Sequence, residues 1–71
     1  MTTSLLPITT ALADESRLRI LASLRGGELF ACHLIELLAR APSTVSKHVD
    51  ILRRAGLVLA RKEGRWMHYR L

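Results

Sequence analysis

Gly56 divides this chain into two regimes of apolar spacing, and few folds accommodate both within 71 residues. Before it, leucines and valines recur at the three-to-four-residue interval of helices; after it, Leu57, Val58 and Leu59 lead into Arg61 and Lys62, and the residues from Arg65 to Leu71 alternate in the manner of a strand. A chain of this length has room for one domain, here 1–71, and such a domain buries only about 60% of its unfolded surface. Hydrophobic residues make up 49% of the sequence and charged residues 24%, which suits a packed core rather than a disordered chain. The expected fold is mainly α with a small β-hairpin: about four helices, then two strands.

Local signals place the breaks. Pro7 is tolerated in the first turn of a helix running toward Leu12, where its missing N–H is unpaired anyway. Asp14 offers an N-cap for a second helix, along which Leu18, Leu21 and Leu24 repeat at helical spacing until Gly26-Gly27 ends it. Residues Glu28 to Phe30 are too few for an independent strand but long enough to add a short edge to a sheet formed elsewhere. A third helix is expected from about Ala31 to Arg40, with Leu34, Leu37 and Leu38 inward. Pro42 keeps Ala41 out of helical geometry and opens a fourth helix, about 43–55, which Gly56 stops. The region 57–71 then reads as a hairpin turning at Glu63-Gly64, with Met67, Tyr69 and Leu71 on one face and Trp66, His68 and Arg70 on the other.

Charge is unevenly placed. From Met1 to Ala39 three arginines face four acids, whereas from Arg40 to Leu71 eight basic residues face only Asp50 and Glu63. A positive field gathered on one half of a small domain attracts a polyanion, and double-stranded DNA is the usual one. Cys32 is the only cysteine, so no intramolecular disulfide and no Cys-x-x-Cys pair can form, which fits a reducing compartment and a cytoplasmic location. The opening Leu5, Leu6 and Ile8 have no basic residues ahead of them, and Pro7 interrupts them, so they suit a short helix better than a secretory leader. No stretch approaches the ~18 apolar residues of a membrane span.

Two helices separated by a tight break, the second followed by a basic hairpin, form the layout of a winged helix-turn-helix. On the fourth helix Val45, Val49 and Leu52 fall on one side, while Ser43, Ser46, Lys47, Asp50 and Arg54 project from the other, with Thr44 and His48 at the border. Hydroxyls and a lysine near a helix N-terminus suit phosphates and base edges. Arg61, Lys62 and Arg65 of the hairpin suit the flanking backbone. An ordinary solvated face, and basic edge strands that discourage aggregation, would leave similar residues. A second reading keeps the fold but makes it a protein-interaction module with an acidic partner. Enzymatic function is the weakest reading: the histidines and the cysteine sit on different elements, with no paired-carboxylate site or glycine-rich phosphate loop.

The segments Ala11-Leu12-Ala13-Asp14-Glu15-Ser16-Arg17-Leu18-Arg19-Ile20-Leu21, Ser43-Thr44-Val45-Ser46-Lys47-His48 and Arg53-Arg54-Ala55-Gly56-Leu57-Val58 resemble the ArsR family of winged-helix repressors. The tail Glu63-Gly64-Arg65-Trp66-Met67-His68-Tyr69-Arg70-Leu71 resembles that family's wing. The resemblance implies a homodimer that binds an imperfect palindromic operator and is released by an inducer, commonly a metal or metalloid ion, with no cofactor otherwise required. It also implies that Ser43, Thr44, Ser46, Lys47 and His48 occupy the DNA-reading positions.

Two departures bear on the inducer. The family's arsenical-type sensors carry Cys-x-Cys at the start of the third helix, and here Phe30 stands at the first thiolate position. Cys32 and His33 remain candidate metal ligands through sulfur and nitrogen. One thiolate per chain, however, cannot make the three-thiolate site that soft metalloids prefer, even in a dimer, and a lone cysteine near a helix start is more often a small buried hydrophobe. Family members also continue into a C-terminal helix that pairs with the first helix, so dimerisation through Leu5, Leu6, Ile8 and Leu12 is an incomplete expectation here.

Overall fold

The structure, a computed structural model, describes residues 5–71, with side chains from Pro7 onward. Along the chain run α1 (Leu5–Leu12), α2 (Glu15–Leu24), β1 (Leu29–Phe30), α3 (Ala31–Leu38), α4 (Pro42–Arg54), β2 (Leu59–Glu63) and β3 (Trp66–Arg70). Each boundary has a local cause. The Asp14 carboxylate accepts hydrogen bonds from the backbone N–H groups of Ser16 at 2.8 Å and Arg17 at 3.2 Å, closing the start of α2. Those two bonds, Arg17's first, hold the Asp14 carboxyl below its ordinary pKa.

The third helix stops earlier than its apolar residues suggest, because Ala39 turns left-handed at φ 54° and its N–H returns to the Ile35 carbonyl at 3.0 Å. Ala41 is then extended, and Pro42 occupies the first turn of α4. At the other end of α4 the Leu57 N–H reaches back to the Leu52 carbonyl and the Gly56 N–H to the Arg53 carbonyl, each at 3.0 Å. This is a Schellman closure, and it requires the left-handed φ of 79° that Gly56 adopts.

The core lies between the helices and one face of the sheet. Ala11 comes from α1, Ile20 and Leu24 from α2, Leu34 and Leu38 from α3, and Val45, Val49 and Leu52 from α4; Val58 closes it beneath the sheet. The expected inward positions of α4 are therefore the buried ones. One expectation fails, since Leu37 is 42% exposed, and Leu18, which shares a helical repeat with the buried Leu24, is itself 48% exposed. At about 100° per residue, Leu18 lies far round the helix from Leu24, whereas positions 17, 20 and 24 share a stripe, and Arg17 fills its first place. Leu37 yields to Leu34 and Leu38 for the same reason.

The strands form one antiparallel sheet in the order β1-β3-β2. The residues before α3 do supply an edge, with Leu29 opposite Tyr69 and Phe30 opposite His68, so the sheet has three strands and not the two of a bare wing. The hairpin turns on Gly64-Arg65, one residue later than expected, since Glu63 pairs with Trp66. Gly64 takes φ 63°, the positive value that the first central residue of a type II′ turn needs.

Candidate nucleic-acid interface

Burial of Val45, Val49 and Leu52 fixes which way α4 faces. Ser43, Ser46 and Lys47 are consequently exposed, and Thr44 and His48 are half-buried beside them. Ser43, Thr44, Lys47 and His48 together line a shallow surface hollow over the first turns of the helix. Ser46 opens instead onto a neighbouring apolar groove with Pro42, Val45 and Tyr69. The N-cap residue, Ala41, has no side-chain acceptor, so the N-terminus of α4 carries no side-chain cap and retains its attraction for anions.

Arg54 stands at the opposite end of α4, where Asp50 binds it at 2.9 Å and Arg53 at 2.8 Å. The wing residues divide by strand alternation. Arg61 lies on the outer face opposite His68, and its guanidinium is 2.8 Å from Glu28 and 3.4 Å from Glu63. Lys62 faces the other way opposite Met67, Arg65 sits in the turn, and neither has an ion-pair partner among the described residues. The structure thus gathers Ser43, Thr44, Lys47 and His48, sets Lys62 and Arg65 on the wing, and ties Arg54 and Arg61 to carboxylates.

Two features escaped the sequence reading. His68, on the same strand face as the exposed Trp66 and Arg70, is only 8% exposed. Its Nδ1 is 3.2 Å from Glu28, its Nε2 is 3.3 Å from Glu63, and the Phe30 ring stands edge-on at 4.4 Å. The Arg61 hydrogen bond, ahead of other causes, pulls the Glu28 carboxyl below its ordinary pKa, and Glu28 in turn raises that of Arg61. These contacts join β1 to the hairpin across 33 positions, a pairing that no local spacing announces. Arg17 is the other: its neighbours Ile20 and Leu24 at helical spacing were the available signal, overlooked in favour of leucines.

Of the candidate metal ligands, Cys32 is an exposed free thiol. The His33 Nδ1 accepts a hydrogen bond from the Phe30 N–H at 3.3 Å, closing the start of α3. Among the described residues no group of three or more His, Cys, Asp or Glu is placed to hold a metal ion. Cys32 and His33 therefore do not fit a metalloid site by themselves.

A helix-turn-helix whose second helix bares hydroxyls, a lysine and an open N-terminus, followed by a basic antiparallel wing, defines the winged helix-turn-helix class. Residues 14–59 match the family described as "Bacterial regulatory protein, arsR family", and the chain belongs to that family, one of regulatory proteins and not of enzymes. It is 47% identical over 70 residues to the arsenical resistance operon repressor of Escherichia coli, covering 94% of this chain and 60% of that protein. Its fold matches HlyU from Vibrio cholerae with a TM-score of 0.89 at 37% identity, over 99% of this chain and 76% of that one. A homodimeric winged helix-turn-helix DNA-binding domain from Mycobacterium bovis matches with a TM-score of 0.92 at 31% identity, over 99% and 65%. The chain thus spans about 60% of the length of the Escherichia coli repressor it resembles.

Proposed function

We propose that this chain is the DNA-binding module of a transcriptional repressor, which grips double-stranded operator DNA as a homodimer with α4 in the major groove and the wing along the backbone. One observation carries the reading: α4 is anchored by buried Val45, Val49 and Leu52 while Ser43, Ser46 and Lys47 stand clear of the protein. Ser43, Thr44, Ser46, Lys47 and His48 contact base edges and nearby phosphates; Arg54, Arg61, Lys62 and Arg65 contact backbone phosphates. The relatives named as an operon repressor and as a homodimeric DNA-binding domain support both parts of the proposal. On α1, Leu12 is 39% exposed and available to a second copy, while the side chains of Leu5 and Leu6 lie outside the described residues. No described helix is long and apolar enough to cross a membrane, and the reading places the protein with the DNA, in the cytoplasm.

Release by a metal or metalloid ion is proposed from the name of the Escherichia coli relative. It needs donors beyond Cys32 and His33. Arsenite and zinc titrated into the DNA complex, repeated with Cys32→Ser, test this; ion-driven release that survives the substitution removes Cys32 from sensing.

The main test is selection from a random duplex library, followed by fluorescence anisotropy on the selected and scrambled sequences. Recovery of a two-fold motif with half-sites ~34 Å apart is expected, and equal affinity for all duplexes overturns the proposal. Lys47→Glu separates it from a protein-docking role: loss of DNA binding in a folded variant is the expected result, and undiminished binding overturns it.

A further inference from the structure

Arg17 is buried in α2 with all three of its guanidinium nitrogens engaged. Nε donates to the Ala11 carbonyl at 2.8 Å and Nη2 to the Thr10 carbonyl at 3.0 Å, both near the end of α1. Nη1 lies 3.1 Å from Nδ1 of His48 on α4. A guanidinium has donors only, so the His48 Nδ1 must be the acceptor, and the proton of the neutral ring resides on Nε2. The same imidazole lines the hollow with Ser43, Thr44 and Lys47, and Nε2 has no partner among the described residues.

We propose that Arg17 is a positioning residue for DNA recognition: it fixes His48 in the Nε2–H tautomer, so that position 48 offers the operator a hydrogen-bond donor and no acceptor. The inference rests on the reading of α4 as the DNA-contacting helix. A donor at this point can donate to guanine O6 or N7, adenine N7, thymine O4 or a phosphate oxygen, and is unmatched against the exocyclic amines of cytosine and adenine, which are donors themselves. Because the guanidinium is also held by two α1 carbonyls, the choice of tautomer on α4 depends on α1 staying docked. A solvated histidine on the same helix would exchange tautomers and discriminate less.

Long-range proton–nitrogen correlation spectra of the ¹⁵N-labelled protein, free of DNA and at mildly alkaline pH, test the tautomer directly, with His48→Gln assigning the signal. The expected pattern is a protonated Nε2 and a bare Nδ1. A protonated Nδ1, or a mixture of tautomers in the wild type, overturns the proposal whether or not any variant folds. In Arg17→Met, both tautomers should appear, and affinity for the selected operator should fall about tenfold, the value of one hydrogen bond to a well-placed partner, while affinity for scrambled duplex stays within about twofold. In a His48→Ala background the Arg17→Met change should add almost nothing. A folded Arg17→Met that selects DNA as the wild type does overturns the positioning role alone; a wild type with no sequence preference overturns the DNA reading and leaves the tautomer assignment standing.

Discussion

Several side chains perform tasks that their residue type conceals. Asp14 is legible as a cap because a carboxylate just ahead of a helical stripe has a standard use, and the structure gives it both expected N–H donors. Asp14→Ala should lower stability, read as a lower urea midpoint at unchanged slope. The pH dependence has a definite sign. Asp14 and Glu28 both protonate at lower pH folded than unfolded. Their contribution is complete above the ordinary carboxylate pKa of ~4 and is lost as pH falls through the depressed folded values. Urea midpoints measured across the acid range should therefore decline for the wild type, and less steeply for a Glu28→Gln variant. On the wing, Arg61 is neutralised by Glu28 and Glu63 whereas Lys62 and Arg65 are not. Arg61→Ala should accordingly weaken DNA binding less than Lys62→Ala or Arg65→Ala, by anisotropy at one salt concentration. The sequence marks all three as equally basic; only tertiary pairing ranks them.

Elements were the most readable level, because capping and turn chemistry are local. Pro42 and Gly56 bound α4 in sequence and in space, through an extended residue before the one and a left-handed residue at the other. Ala39 is the informative exception, since alanine does not advertise a left-handed end and the third helix looked two residues longer than it is. A left-handed alanine costs about 1–2 kcal/mol, of which glycine recovers all but its larger unfolded-state entropy. Ala39→Gly should thus raise stability by about 0.5–1 kcal/mol, and Gly56→Ala should lower it by about 1 kcal/mol, both read from urea midpoints at constant slope. Failure of Ala39→Gly to stabilise would mean that the turn has an unstrained alternative. Helix faces were less legible than helix ends: a run of leucines at positions 18, 21 and 24 drifts round the surface, and a charged residue can occupy a core stripe when every donor is used, as for Arg17.

At the scale of the whole molecule the charge asymmetry is the property most open to measurement. If the recognition helix and wing make six or so phosphate contacts, the logarithm of affinity should fall with the logarithm of salt at a slope near −5. A slope near zero in anisotropy titrations would show that the basic half does not engage the polyanion. Helical layout and the basic hairpin were visible in spacing, whereas the joining of the two halves was not. The edge strand is only Leu29–Phe30 and draws its stability wholly from a partner at the far end of the chain.

That edge pairing has a consequence for biosynthesis. Phe30 finds its ladder partner in His68, and β3, the central strand that carries this partner, is the last of the described strands in chain order. While the hairpin is still inside the ribosome and the helices have emerged, α1 to α4 can collapse around their leucines, but residues 29–30 have nothing to bond. Completion of the domain therefore waits until residue 70 has left the exit tunnel, and a nascent polypeptide with Gly64 at the tunnel mouth would present a bundle of helices with no wing.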